Sequence, residues 1–236
     1  MKDVPGGASA ALVRGEQVDE MTQSMSGPAG WGRRRLVAAL GLAAGGLLAG
    51  CASPSPTLYT LAPLPGPAVG APRRVILVRE VSLARYLQRP GIVRSSADYR
   101  LDVSANDWWG EPLGPMLGRV LVADLSARLP ASTVLAESVA ITVDPDISVE
   151  VSIQRFDEDE AGKVALAAAF VLDGRHSTTA PRTFDVTVSA GPGQAAAGNG
   201  PVETPVGNQV AAMSTALAQL SDAIAVAIAA FEGNAR

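Results

Sequence analysis

The sequence predicts a single α/β domain, built from a mixed, mostly antiparallel sheet and two main helices. Three observations carry this expectation. Ile147–Phe156, Lys163–Leu172 and Thr183–Ser189 are strand-like runs joined by short turns, the pattern of an antiparallel meander. Two windows, 113–129 and 206–231, place apolar residues every three or four positions, the period of a packed helix. Between the N-terminal third and the first of these helices lies Arg74–Val81, a β-branched, apolar run that reads as a strand buried on both faces.

Composition narrows the chemistry. The chain has 236 residues, a hydrophobic content of 47% and an aromatic content of 4%, so its core is aliphatic and alanine-rich. A net charge of −4 supplies no basic surface for nucleic acid, whose phosphates demand clustered Lys and Arg. One cysteine excludes an intrachain disulfide, and one histidine excludes most zinc geometries. No metal or cofactor is expected.

The N-terminal third reads as an address. Arg33-Arg34-Arg35 precedes the apolar run 36–48, whose 13 residues are too few to cross a bilayer and suit a signal-peptide core. The run ends in Leu48-Ala49-Gly50-Cys51, which resembles the lipobox of bacterial lipoproteins: a branched apolar residue, two small residues that fit a peptidase cleft, then the acceptor thiol. Cleavage before Cys51 would leave covalent diacylglycerol and an N-acyl chain, palmitate among such acyl groups, on that cysteine. Several chains of this kind make detachment negligible. The double arginine also loosely resembles a twin-arginine signal, so the export route stays open, as does the start at Met1, Met21 or Met25. Ala52 and Ser53 follow the cysteine without the aspartate that retains enteric lipoproteins in the inner membrane, which points to the periplasmic face of the outer membrane.

Residues 1–50 are therefore set apart as extension and signal peptide, 51–72 as a lipidated proline-rich tether, and 73–236 as the domain. The tether contains six prolines around one β-prone run, Leu58-Tyr59-Thr60-Leu61. About seven residues precede that run, a reach of roughly 20 Å. In the domain, Ser82–Gly91 reads as a loop or short helical turn closed by Pro90-Gly91. Ile92–Ser95 and Tyr99–Asp102 then form a hairpin. The first helix follows Glu111-Pro112, carries Leu113, Met116, Leu117, Val120, Leu121, Leu125 and Leu129, and stops at Pro130. Thr133-Val134-Leu135 is a small strand, Asp157–Glu160 a solvated turn, and Gly191–Pro201 a flexible loop. The last helix carries Val206, Val210, Met213, Leu217, Leu220, Ile224, Ile228 and Phe231 on a core face. Its other face lacks the basic residues of a membrane-surface helix.

Catalytic patterns are absent from the sequence. Asp173, His176 and Ser177 occupy one turn, where adjacent residues cannot aim at each other as a triad requires, and no Gly-x-Ser-x-Gly exists. The acidic run lacks the glycine and spacing of a calcium loop. No enzyme is expected.

Four local features resemble one family. They are the lipobox followed by Tyr59-Thr60-Leu61, the stretch Val81–Val93 with Tyr86-Leu87-Gln88-Arg89-Pro90-Gly91 at its centre, Tyr99-Arg100-Leu101, and Trp108-Trp109-Gly110-Glu111-Pro112-Leu113. Together they are similar to the ABC-type transport auxiliary lipoprotein family of MCE systems. Asp107-Trp108 departs from the family's aspartate-arginine-tryptophan approach, and Gly191–Pro201 is longer than its counterpart. The resemblance implies a three-layer α/β domain like the anticodon-binding and TolB N-terminal domains. It also implies a non-enzymatic docking subunit for transport of phospholipid or another hydrophobic solute. Its partners would be an MCE-domain protein, and through it an inner-membrane permease and ATPase, with a homo-oligomer left open. Tyr86, Leu87, Arg89, Pro90, Trp108 and Trp109 form the candidate partner surface, by their interface-type composition. The competing reading is a lipid- or small-apolar-ligand-binding module, with a cavity beside the alanine-rich strand 164–169.

Overall fold

The computed structural model describes residues 55–97, 99–138, 142–175, 177–191 and 204–231. The elements are β1 (Thr57–Tyr59), β2 (Val75–Val78), β3 (Ser82–Leu83), a 3-10 turn (Arg85–Leu87), β4 (Gly91–Ala97), β5 (Arg100–Trp109), α1 (Leu113–Arg128), β6 (Thr133–Ala136), β7 (Ile147–Glu158), β8 (Lys163–Gly174), β9 (Arg182–Ser189) and α2 (Pro205–Ala230). The single α/β domain with a mixed sheet and two helices is as the sequence predicts.

β7 is the spine of the nine-stranded sheet. One of its edges receives β2, β3 and β4 in succession, all parallel, at Ile147–Val149, Ser152–Ile153 and Glu158. Its other edge carries β8 antiparallel along eleven register pairs, and β9 pairs antiparallel with β8. Outside β2 lies β6, and outside β4 lie β5 and then β1. The long ladders are antiparallel and the parallel contacts are short, which is why the meander dominates the sequence pattern.

Both helices cover one face. Ile76 and Val78 of β2, Ile147, Val149, Val151 and Ile153 of β7, and Leu166, Ala168, Phe170 and Leu172 of β8 all point into one cluster with α1 and α2. The layers are therefore two, where the family resemblance implies three. β2 is fully buried only at Ile76 and Val78; Val75 and Leu77 are half-buried, so the run is less enclosed than its composition suggests. A register shift between Ile153 and Arg155 changes the alternation of β7 and brings Phe156 into the core.

Three expectations are revised. β5 runs seven residues past Asp102 but bulges on the way: Ser104 to Asp107 stand against Ile92 alone, and Ser104 Oγ closes the bulge by donating to Asp107 Oδ2 at 2.6 Å and accepting the Asp107 amide at 3.1 Å. Asp157 and Glu158 belong to β7 and are buried, so the solvated turn begins only at Asp159, where Gly162 (φ 69°) makes the reversal. The proline-rich stretch after β1 is docked on the helices: Leu64 N–H donates to Asp124, Val69 N–H to the Arg128 carbonyl, and Leu61 is in the core. Gly66 is required there, since a Cβ would fall on the Arg128 guanidinium. The expected loop at Gly191–Pro201 lies outside the described residues, apart from Gly191.

Candidate functional site

The short β3 strand and the turn behind it set the position of the Arg89 loop. Ala84 N–H donates to the Ile153 carbonyl at 2.9 Å, fixing the turn to β7. Tyr86 then reaches the same strand: its hydroxyl donates to Asp157 Oδ2 at 2.6 Å and accepts the Phe156 amide at 3.2 Å. Burial, then the bond to Asp157, pushes the Tyr86 phenol above the usual tyrosine range. Leu87, 3% exposed, drops into the core. With both residues pinned, Gln88, Arg89 and Pro90 are turned outward, and Gln88 Nε2 ties back to the Leu83 carbonyl at 3.2 Å.

The other side of the site comes from the end of β5. Trp109 N–H donates to the Pro90 carbonyl at 2.7 Å, and Gly110 N–H to the Tyr59 carbonyl at 2.8 Å, so both motif loops and β1 meet there. Gly91 permits the approach: a Cβ would lie 2.8 Å from the Ser104 carbonyl oxygen. Pro112 caps α1 without a side-chain hydrogen bond, and no acidic residue occupies the first turn.

An open groove of about 800 Å³ runs between these parts. Arg89 and Pro90 form one wall, Glu111, Pro112 and Pro115 the other, with Leu83 and Trp109 in the lining. Glu111 is engaged by Arg119 at 2.5 Å. The groove thus offers the Arg89 guanidinium, the carboxylates of Glu80 and Glu111, and apolar side chains such as Leu83 and Pro112, a surface for recognition.

The six candidate residues do not form one patch. Arg89, Pro90 and Trp109 line this groove, although Trp109 is 7% exposed and mainly core. Leu87 is core. Tyr86 lines a second groove of about 670 Å³, with Arg155, Asp157 and Glu160 among its residues. Trp108, 38% exposed, is opposite Leu58 in the β1–β5 register, with its indole N–H bonded to the Ala105 carbonyl at 3.0 Å. Glu80, Ser82 and Leu83 also line the first groove; Ser82 and Leu83 fall within the family-like stretch Val81–Val93, and the pairing of β3 with β7 places them there.

Leu48, Ala49, Gly50, Cys51 and His176 lie outside the described residues. Asp173 accepts Thr178 Oγ1 at 2.5 Å. Among the described residues, no three His, Cys, Asp or Glu side chains come together as a metal site.

Fold and site define a compact α/β module that presents a surface groove. The chain belongs to the ABC-type transport auxiliary lipoprotein component family, whose model matches residues 57–225. This makes it an auxiliary lipoprotein of a transport system. It is 28% identical over 100 residues to the intermembrane transport lipoprotein PqiC of Escherichia coli (strain K12), and equally to that of Shigella flexneri. The match takes in 42% of this chain and about half, 52%, of each relative. Among solved structures, an uncharacterized protein (TM-score 0.59) and protein XCC0632 from Xanthomonas campestris (TM-score 0.56) share the fold at 22% identity. Each match covers 74% of this chain and 99% or 95% of the other.

Proposed function

We propose that the chain is the lipid-anchored docking subunit of an MCE-type ABC transport system that moves phospholipid or another hydrophobic solute between membranes. In this reading, Cys51 carries the diacylglycerol and N-acyl lipid and holds the domain at the periplasmic face of the outer membrane. The groove receives a segment of the MCE-domain protein, which connects to the inner-membrane permease and ATPase. The supporting observation is that the two family-like loops, at the open end of the β4–β5 hairpin, are hydrogen-bonded to each other and together line the groove. Arg89 is exposed at its rim, as suits a contact that sets partner choice.

The competing ligand-binding reading needs space beside the alanine-rich strand. That face of β8, at Val164, Leu166, Ala168 and Phe170, is buried in one core cluster with α2. Ala165, Ala167 and Ala169 alternate onto the opposite, half-buried face, away from the helices.

The test is co-purification of the MCE-domain protein with the acylated chain from detergent-solubilised membranes. Arg89→Glu, an exposed reversal of charge that leaves the fold intact, is expected to lower recovery at least about tenfold, the loss of one interfacial hot spot. Undiminished recovery rejects the groove as the docking surface.

A further inference from the structure

We propose that the partner segment seated in the Arg89 groove continues past it along α1 into a second groove, carrying an acidic side chain for Arg89 and, further along, a basic one for Glu80. This inference rests on the docking described under the proposed function and adds to it the charge pattern and reach of the segment.

The two grooves join. The second, of about 690 Å³, lies between α1 and the ends of β2 and β6, with Val78, Gly118, Val122 and Ala136 in its lining. It shares Glu80, Val81, Gly114 and Pro115 with the Arg89 groove, so the two meet between the approach to β3 and the first turn of α1. Gly114, Gly118 and Val122 are spaced by four residues and form one stripe of the helix. A Cβ on Gly118 would meet no described atom within 4 Å. Glycine is a poor residue for a helix interior, and the packing of the described domain gives no reason for one here. Its effect is to lower one wall of the trough, where another chain can approach the helix backbone.

The charges name the occupant. Glu111 is neutralised by Arg119 at 2.5 Å, and Arg79 lies between Glu137 at 3.5 Å and Glu150 at 3.3 Å. Arg89 and Glu80 are exposed, and among the described residues neither side chain has an ion-pair partner. The Glu80 amide donates to Glu137 Oε2 at 3.2 Å, which fixes this residue where the grooves meet. An occupant of one sign would satisfy one of the two charges and repel the other. A segment with a carboxylate at one point and a cation at the next matches both. Beyond Glu80 the lining turns to Val78, Gly118 and Val122, so the segment ends on an apolar stretch. From Gly114 to Val122 the helix rises about 12 Å, the length of roughly four extended residues. A protein chain supplies that order of acid, base and apolar contact.

The experiment measures recovery of the MCE-domain protein with the acylated chain from detergent-solubilised membranes, for wild type, Arg89→Glu, Glu80→Lys, Gly118→Leu and Ala127→Leu. Leucine at 118 fills the second groove and, as the better helix former, leaves the thermal midpoint of the chain unchanged or raised. Ala127, exposed on α1 and lining neither groove, is the reference. The expected result is a loss of at least about tenfold for Glu80→Lys and for Gly118→Leu, as for Arg89→Glu, with Ala127→Leu equal to wild type. Should Gly118→Leu lower the midpoint, Glu80→Lys, at an exposed residue, carries the test. Loss with Arg89→Glu alone overturns the second groove and leaves docking at Arg89 standing. With both variants folded, loss in only one of Glu80→Lys and Gly118→Leu also overturns the proposal. Full recovery with Gly118→Leu, but loss of a co-purifying phospholipid or of self-association, assigns the second groove to lipid or to a second copy and overturns it as well. Undiminished recovery in every variant overturns the docking reading and this inference together.

Discussion

Arg128 is the residue on which the helix layer closes. Its guanidinium is buried, yet it donates to Asp222 Oδ1 at 2.5 Å and to the carbonyls of Leu64, Asp124 and Ala218 at 3.0, 3.1 and 3.1 Å. These bonds join the proline-rich stretch, α1 and α2. Burial raises the Asp124 carboxyl beside it, while the Leu64 amide and Arg128 act in the opposite direction. Removing one member of such a group leaves its partners buried and unmatched, so Arg128→Met is expected to cost about 3–5 kcal/mol in urea unfolding. Tyr86 is a second pinned residue. Tyr86→Phe leaves the Asp157 carboxylate without its 2.6 Å donor and should cost about 1–3 kcal/mol. The folded phenol holds its proton above the ordinary range near 10.0, so it binds protons more tightly than the unfolded chain. Its contribution is complete below pH 10.0 and is lost as pH rises beyond that. The wild-type stability curve should fall there more steeply than that of the phenylalanine variant.

Among the elements, α2 shows the clearest passage from sequence to structure. By length and composition its 26 residues could cross a membrane, but two-thirds of its apolar window is buried against the sheet and α1. Its start is set by Thr204, whose hydroxyl accepts the Gly207 amide at 3.0 Å, with Pro205 in the first position. Thr204→Ala should cost about 1 kcal/mol, measured by thermal or urea unfolding. This helix and the β7–β8–β9 meander are legible because their periods arise from local burial. The second half of β5 is not, because Ser104 and Asp107 read as a polar loop until their mutual hydrogen bonds are known. The order of residues 61–71 is equally hidden, since it comes from Asp124, Arg128 and Ser214, distant in sequence. Composition flags Tyr86-Leu87 and Trp108-Trp109 as interface-like. Pairing through β3 and β1 decides that Leu87 and Trp109 go inward while Arg89 and Trp108 stay outside.

For the whole molecule, the described domain carries the Arg89 groove and the β4–β5 hairpin on one sheet. The family match covers the domain from β1 into α2, so the transport-auxiliary role applies to this fold as a unit. The Arg89 groove lies where the end of β5 meets α1, at the opposite end of the β4–β5 hairpin from its turn. The most direct test of this arrangement is site-specific photocrosslinking in cells, with a photoreactive residue at position 89 and a control at position 131. The account predicts a crosslink from 89, and none from 131, to the MCE-domain protein of the same transport system. No crosslink from 89, or equal crosslinking from both positions, would contradict it.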